Sequence, residues 1–311
     1  MSIKAALLFS GQGAQKVGMA KDLAEAYPSV AQMLNHADEA VGFELSKVMF
    51  DGPADELTRT SRCQPALLAH GLAVWSVLKE KVPQLEVVAA AGLSLGEFTA
   101  HAAAGTFDFA TAIRLVCQRG QFMEEACNET KGSMAAMIGG EESAVRELAA
   151  ECEIDVANLN APGQIVVSGS AEGVAKAVEG AKAKGIVKAI PLQVAGAYHS
   201  RLMKSAQDKL AAVLDAAAIG TPTVPVYCNY AARAVADASD VRSMLVQQVT
   251  GSVRWAESLS RMIADGCQLF IECGMQAQLA GMMKRIDKTA KVISIEDVAS
   301  LDKAVGELSA M

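Results

Sequence analysis

Residues 92–96, with the sequence GLSLG, place Ser94 between two glycines in a pattern typical of a nucleophilic serine. An apolar run at 87–91 precedes this pentapeptide and a helix-forming stretch at 97–104 follows it, so the segment predicts a strand, a sharp turn and a helix. Such a turn exposes the hydroxyl at the start of a helix, where free backbone N–H groups can stabilise an oxyanion. The glycines permit the tight geometry. The alternative is an ordinary strand-to-helix loop that contains a serine by chance.

A serine nucleophile needs a base, and the sequence has 4 histidines. His36 lies in a polar stretch and fits a solvated surface residue, whereas His70 lies among apolar neighbours and fits a core residue. His101 follows Ser94 by two helical turns, roughly 10 Å along a helix axis, which is too far for direct proton transfer. His199 follows a predicted strand, where an inserted segment returns to the main fold. We therefore predict that His199 is the general base, with a structural histidine as the alternative.

Short apolar strands alternate with helices along most of the chain. The pattern predicts strands at 4–9, 87–91, 224–228, 268–272 and 292–295, and helices near 19–26 and at 65–80 and 110–125. Strands of a parallel sheet that is covered on both faces are continuous apolar runs, because both of their faces are buried. We therefore expect a mainly parallel sheet of this kind.

The segment 133–192 interrupts this alternation. It predicts a strand at 133–138, a helix at 141–152, strands at 155–159 and 164–169, a helix at 171–184 and a strand at 187–192. This βαββαβ order is that of the ferredoxin-like fold. We therefore predict an α/β fold with a hydrolase-like, mainly parallel sheet (1–130 and 198–311), an inserted ferredoxin-like subdomain (131–197) and a ligand cleft between them. Alternatively, the segment extends the main sheet.

Composition excludes several function classes. The formal net charge of −7 argues against a general nucleic-acid or membrane-surface binder. No apolar run approaches the roughly 18 residues of a membrane span, and the N-terminal residues run into a strand rather than a signal peptide, so we expect a cytoplasmic protein. The 7 cysteines are scattered without a C-x-x-C pair, which indicates neither disulfides nor a zinc site. The loop at 10–15 (SGQGAQ) is not a P-loop, and it does not fit a dinucleotide motif because Lys16 replaces the third glycine.

Seven motifs follow one another along nearly the whole chain: 9–15 (FSGQGAQ), 64–67 (QPAL), 92–97 (GLSLGE), 118–120 (QRG), 158–164 (NLNAPGQ), 196–199 (GAYH) and 245–248 (LVQQ). In types and order they resemble the malonyl-CoA:acyl-carrier-protein transacylases of fatty-acid synthesis and the acyltransferase domains of polyketide synthases. The resemblance implies that Ser94 is the acyl-accepting nucleophile and that His199 is a general base that becomes a general acid. It also implies that Gln248 offers a carbonyl to the histidine in place of an aspartate. Backbone N–H groups of Gln12 and Leu95 would form the oxyanion hole.

The same resemblance implies that Arg119 binds the free carboxylate of the malonyl group, a task that suits a planar guanidinium. Taken alone, Arg119 would instead be interpreted as a surface cation or a member of an ion pair. Gln64, Asn160 and Gln164 correspond to polar positions that line or support the cleft, although each also fits an ordinary turn or cap. The tetrapeptide at 196–199 resembles the malonyl type of polyketide acyltransferases. The resemblance implies a preference for malonyl over methylmalonyl groups, since the bulky Tyr198 would leave less room for an α-methyl branch.

The implied reaction is a ping-pong transfer of malonyl from malonyl-CoA to the serine, and then to the phosphopantetheine thiol of holo acyl carrier protein. It implies no metal or nucleotide cofactor. We expect a monomer without nucleic-acid or membrane partners. Because acyl carrier proteins are acidic, we expect a local basic docking patch, with candidates Lys182, Lys184, Lys188, Arg201, Lys204, Lys284 and Arg285. A serine hydrolase and a non-catalytic carrier-binding scaffold are the alternative functions.

The sequence also departs from the family pattern. Leu93 replaces the histidine that usually precedes the serine, which puts in doubt a polar role for that side chain. Ser10 replaces the usual proline before the GQG triplet. Residues 251–255 lack a common Asn-Pro and residues 274–276 lack a common Gly-Pro-Gly. Because both segments are predicted loops, we expect them at the rim of the cleft.

Overall fold

The computed structural model of the protein describes residues 2–311; Met1, the first residue of the N-terminal stretch considered above, lies outside them. The strands are β1 (Ile3–Phe9), β2 (Leu85–Gly92), β3 (Gly132–Ile138), β4 (Asp155–Ala161), β5 (Gln164–Ser170), β6 (Lys188–Pro191), β7 (Val226–Tyr227), β8 (Leu269–Cys273) and β9 (Lys291–Ile295). The helices are α1 (Lys21–Ala26), α2 (Pro28–Val41), α3 (Leu45–Asp51), α4 (Ala54–Thr58), α5 (Thr60–Lys81), α6 (Leu95–Ala103), α7 (Phe109–Glu129), α8 (Glu142–Glu151), α9 (Ala171–Gly180), α10 (Lys204–Ala216), α11 (Ala238–Gln248), α12 (Trp255–Ala264), α13 (Gln278–Ile286) and α14 (Val298–Ser309).

A five-stranded parallel sheet in the order β7-β2-β1-β8-β9 forms the centre of the larger part of the molecule. Alternate residues of β1 pack into two separate apolar clusters, with Leu7 and Phe9 in one and Ala6 and Leu8 in the other. Because strand side chains alternate between faces, this division means that both faces of the sheet are covered. The parallel sheet expected from the sequence is confirmed, and its strands all end at one carboxyl edge.

A second sheet is antiparallel, with the order β4-β5-β3-β6. Helices α8 and α9 cover one of its faces through a small apolar core that includes Met137, Leu148 and Val174. The opposite face contributes Met134, Asn160 and Val166 to a cleft beside the main sheet. The six elements follow the predicted βαββαβ order and do not extend the main sheet. The domain boundaries at 130/131 and 197/198 stay a prediction.

Several elements differ in length from the prediction. Helix α5 begins at Thr60, so Pro65 lies within it instead of at its start, and the segment before Pro65 is buried helix. Strand β7 contains only Val226–Tyr227, because Pro225 has no N–H to extend the ladder. The predicted helix at 171–184 ends as α9 at Gly180 and continues as a 3-10 turn, Ala181–Lys184.

The loop that precedes α12 is not at the rim of the cleft. Val253 exchanges backbone hydrogen bonds with β4, accepting from Leu159 N and donating to Ala157 O, and it is fully buried, as is Trp255. The rim expectation for residues 251–255 is therefore wrong: this segment joins the two sheets, and apolar burial determines its course. Within the described residues, no helix has the length and apolarity that crossing a membrane requires.

Candidate active site

Ser94 lies at the N-cap of α6, immediately after β2, with backbone angles φ 53° and ψ −107°. A positive φ is strained for a serine, and such strain is typical of a functional turn. The turn requires both flanking glycines, because a Cβ on Gly92 would lie 1.9 Å from Gly96 and a Cβ on Gly96 would lie 2.2 Å from Phe9 O. Asn229, which follows β7, fixes the turn by accepting from Ser94 N at 2.6 Å and donating to Gly92 O at 2.8 Å. The predicted strand, turn and helix are all present.

His199 lies beside the serine, with 2.7 Å between His199 Nε2 and Ser94 Oγ. Its Nδ1 is 2.9 Å from the backbone carbonyl oxygen of Gln248, at the end of α11. A carbonyl only accepts, so Nδ1 carries the proton and Nε2 offers its lone pair to the serine hydroxyl. Burial, together with the Arg119 cation, lowers the pKa of His199 to about 4. The imidazole is therefore neutral at pH 7 and able to accept a proton.

Arg119 is buried on α7, and its guanidinium reaches the serine. Its Nη2 donates to Ser94 Oγ at 3.1 Å and to Gln248 Oε1 at 2.9 Å, and its Nη1 donates to Gln64 Oε1 at 2.7 Å. Gly120 allows this approach, because a Cβ there would lie 2.6 Å from Thr60 O on α5. Burial lowers the pKa of Arg119 to about 10, which leaves the side chain charged at pH 7. The structure thus places a buried cation at the nucleophile, not on the surface.

The two residues expected to form the oxyanion hole also line the cleft. Leu95 opens α6, so its N–H lies in the first helical turn, where the helix supplies no acceptor. Gln12 lies in the loop after β1, at the same carboxyl edge of the sheet. Both residues therefore line the same cleft as Ser94, and their role as an oxyanion hole stays a prediction.

The cleft between the two sheets has a volume of about 260 Å³. Among the predicted substrate-binding residues, Gln64, Asn160 and Tyr198 line it. Asn160 is buried, and its Oδ1 has no hydrogen-bond partner within the described residues. Gln164 lies outside the lining, two residues before Val166 on the same face of β5, so the structure does not bring it into the cleft.

Tyr198 closes one side of the cleft, and its hydroxyl is 2.7 Å from Thr60 Oγ1. Thr60 in turn accepts from Gln12 Nε2 at 3.5 Å. Leu93, which replaces the family's histidine, packs with the apolar cluster that contains Leu8 and Trp255, and it also lines the cleft. At this position the protein has an apolar wall.

The remaining histidines lie away from the chemistry. His36 is exposed on α2, and His70 is buried with Nε2 2.8 Å from Glu296 O. His101 is buried on α6, with Nδ1 3.1 Å from Thr106 Oγ1. All three placements agree with the interpretation of the sequence.

Sequence reasoning assigned no role to Asn229 and Glu97, although both belong to the site. Glu97 is fully buried one helical turn after Ser94, and its Oε2 accepts from Gln248 Nε2 and from Asn229 N. A signal was present for each: Asn229 follows a predicted parallel strand, and Glu97 is a carboxylate within an apolar helix.

The basic residues proposed for docking fall into two groups. Lys184 pairs with Glu147 and Glu151, Arg201 with Asp155, and Lys204 with Asp208, so carboxylates of the same chain offset their charges. Within the described residues, no ion pair involves the other candidates: Lys182, Lys188, Lys284 and Arg285. Their charge is therefore available to an acidic partner.

Comparison with known proteins agrees with this site. The model of the acyl transferase domain family matches residues 6–309. The chain is 40% identical over 310 residues to the malonyl CoA-acyl carrier protein transacylase of Bacillus subtilis, an alignment that covers 98% of this chain and 97% of the relative.

Solved structures agree as well. The acyl carrier protein S-malonyltransferase of Vibrio cholerae superimposes with a TM-score of 0.93 at 39% identity, covering 96% of this chain and 99% of that one. A malonyl-transacylase in complex with a type II PKS acyl-carrier protein superimposes with a TM-score of 0.92 at 39% identity, covering 97% of this chain and 99% of that one. Since the family model and these relatives span nearly the whole chain, the protein belongs to the acyl transferase domain family, among the malonyl CoA-acyl carrier protein transacylases.

Proposed function

We infer that the chain transfers a malonyl group from coenzyme A to the phosphopantetheine thiol of acyl carrier protein through a malonyl-serine intermediate. One observation carries the assignment of residues: Ser94 Oγ lies within hydrogen-bond distance of both a neutral imidazole and a buried guanidinium. The first is what proton transfer from the serine requires, and the second is what a substrate with a free carboxylate requires.

In the first half-reaction, Ser94 Oγ attacks the thioester carbonyl of malonyl-CoA while His199 Nε2 takes the hydroxyl proton. The developing oxyanion accepts hydrogen bonds from the N–H groups of Leu95 and Gln12. His199 then gives its proton to the departing coenzyme A sulfur. In the second half-reaction His199 takes the proton of the carrier thiol, which attacks the malonyl ester, and then returns a proton to Ser94.

The backbone carbonyl of Gln248 holds His199 in the tautomer that this cycle uses. It replaces the aspartate of a Ser-His-Asp triad with a neutral acceptor. A neutral acceptor stabilises the imidazolium less than a carboxylate does. In this cycle each proton taken by His199 is passed on to a thiolate or an alkoxide.

Arg119 is the proposed clamp for the malonyl carboxylate. Its planar fork can form two parallel hydrogen bonds with a carboxylate, and burial in the cleft strengthens them by excluding water. Gln64, Asn160 and Tyr198 are proposed to line the path of the acyl group and its thioester arm, with Gln164 further out on the same sheet face. A monomeric state and a cytoplasmic location stay predictions.

The test is the intact mass of the protein after brief mixing with malonyl-CoA, for the native chain and for Ser94→Ala and Arg119→Ala. We expect a malonyl adduct on the native protein, none on Ser94→Ala, and much less on Arg119→Ala. Addition of holo acyl carrier protein should remove the adduct and yield malonyl carrier protein. Release of coenzyme A without an adduct or a need for carrier would indicate a hydrolase. Neither adduct nor release would indicate a binding scaffold.

A further inference from the structure

Glu97 is a fully buried carboxylate that the reaction as described does not use. It lies three residues after Ser94 on α6 and accepts two hydrogen bonds at Oε2: from Gln248 Nε2 at 2.7 Å and from Asn229 N at 2.9 Å. A charged group is rarely buried without a partner of opposite charge. The opposite charge that acts on it is that of Arg119, whose attraction opposes the rise in the pKa of Glu97 that burial causes.

The link between Glu97 and Arg119 runs through the side chain of Gln248. The amide of Gln248 donates from Nε2 to Glu97 and to Ser94 O at 2.9 Å, while its Oε1 accepts from Arg119 Nη2 at 2.9 Å. If the amide were flipped, its NH₂ group would face the N–H groups of the guanidinium and its oxygen would face the carboxylate. Glu97 Oε2 already accepts from the backbone N–H of Asn229, and Ser94 O is a carbonyl oxygen, so both face the Gln248 amide as acceptors and oppose the flipped arrangement.

We propose that Glu97 is a positioning residue for recognition of the substrate carboxylate: it fixes the orientation of the Gln248 amide, and the amide oxygen holds Arg119 Nη2 at the nucleophile. This inference rests on the proposed function, since it concerns the malonyl carboxylate. The same carboxylate also holds Asn229, whose side chain fixes the serine turn. A purely structural role for Glu97 therefore has to be separated from positioning.

The selectivity of the enzyme between two acyl donors separates a structural role of Glu97 from a positioning role. Malonyl-CoA and acetyl-CoA use the same serine, histidine and oxyanion hole, but only malonyl-CoA carries the carboxylate that Arg119 binds. Damage to the serine turn lowers both rates alike. Loss of the guanidinium's position lowers the malonyl rate more than the acetyl rate, so the ratio of the two kcat/KM values for acylation of Ser94 is the readout.

The variant to measure is Glu97→Met, which keeps the volume and removes the acceptor. We expect the malonyl-to-acetyl ratio to fall about 10-fold, since one hydrogen bond to a charged group is misdirected. Glu97→Gln keeps a carbonyl acceptor at the same place, so it should retain the ratio within about 3-fold. Glu272→Met is the matched control: Glu272 is also a fully buried glutamate, but it caps Leu279 N and Ala280 N beyond β8, so this change should leave the ratio unaltered.

A double-mutant cycle tests the route through Gln248. Gln248→Met removes the amide and leaves the backbone carbonyl that His199 uses. If Glu97 acts through this amide, adding Glu97→Met to Gln248→Met should change the ratio little further. Additive losses, or equal losses of both rates in Glu97→Met, would overturn the proposal.

Two further measurements keep the test decisive. Should Glu97→Met not yield folded protein, Glu97→Asp replaces it in the same cycle, because it keeps the charge but draws the carboxylate back from Gln248 by one methylene group. The native chain is measured first. Failure of the native protein to form any malonyl adduct contradicts the proposed function, whereas a native adduct with an unchanged ratio in the Glu97 variants contradicts only the role of Glu97.

Discussion

Arg119 Nη2 donates a hydrogen bond to Ser94 Oγ at 3.1 Å, so the guanidinium proposed to bind the substrate is already bonded to the nucleophile. The same oxygen is 2.7 Å from His199 Nε2. A serine hydroxyl has one proton to donate and lone pairs to accept with, so both contacts can exist at once. When a carboxylate binds, the guanidinium has a new acceptor of higher charge. The substrate therefore changes the environment of the serine at the moment it arrives.

The first prediction concerns the chemistry of Arg119. Arg119→Ala should lower kcat/KM for malonyl-CoA by about two orders of magnitude, because the substrate carboxylate loses two charge-assisted hydrogen bonds. Arg119→Lys keeps a cation but not the fork, so its loss should be about 10-fold. Acylation by acetyl-CoA, measured by the rate of adduct formation, should change much less. Equal losses with both donors would mean that Arg119 acts on the serine and not on the carboxylate.

The second prediction concerns the basicity of His199. Burial and then the Arg119 cation lower its pKa to about 4, so Arg119→Gln should raise that pKa toward 6.5, the ordinary value for histidine. NMR titration of the histidine ring signals measures this change. His101 is an internal control, because burial alone lowers its pKa, to about 3, and its signal should not move with the substitution. A shift of both histidines would indicate a general loosening of the fold.

The third prediction concerns the size of the acyl group. Tyr198→Phe removes only the hydroxyl bonded to Thr60, so preference for malonyl-CoA over methylmalonyl-CoA should persist. Tyr198→Ser removes the ring, and the relative rate with methylmalonyl-CoA should rise about 10-fold or more, because about 1.4 kcal/mol of steric exclusion corresponds to a factor of 10. Competition between the two donors, read by intact mass, gives the ratio. If the native chain uses both donors equally, the steric argument is wrong.

Local sequence signals were sufficient for the α/β fold and for the strand, turn and helix around Ser94. Apolar runs identified the parallel strands because such strands are buried on both faces. The start of α5 was missed because a proline usually marks the first turn of a helix, whereas Pro65 lies within α5. The length of β7 depends on Pro225 and on pairing with two residues of β2, which no local pattern reveals.

The burial of Arg119 could not be predicted from local periodicity, because a charged residue on an amphipathic helix is ordinarily exposed. Its environment is formed by Gln64 and Gln248, which lie far from it in sequence. The family resemblance supplied the expectation of a clamp. The role proposed for Glu97 depends on an amide orientation, which only the three-dimensional arrangement defines.

The last prediction concerns stability in acid. His101 is fully buried, and burial lowers its pKa from 6.5 to about 3 in the folded protein. Below pH 6.5 the unfolded chain therefore binds a proton at this residue that the folded chain does not, and the free energy of unfolding falls by about 1.4 kcal/mol per pH unit for this residue until the pH approaches 3. Glu97 acts in the opposite direction between its ordinary pKa of 4.5 and its folded pKa of about 7, so the test compares variants and not absolute slopes.

The variant to measure is His101→Asn. Between about pH 7 and pH 5 its free energy of unfolding, measured by urea unfolding, should fall by about 2 kcal/mol less than that of the native chain. His36→Asn, on the exposed side of α2, controls for the histidine-to-asparagine change itself. A His101→Asn curve parallel to the native one would show that the imidazole is protonated at pH 5 in the folded protein.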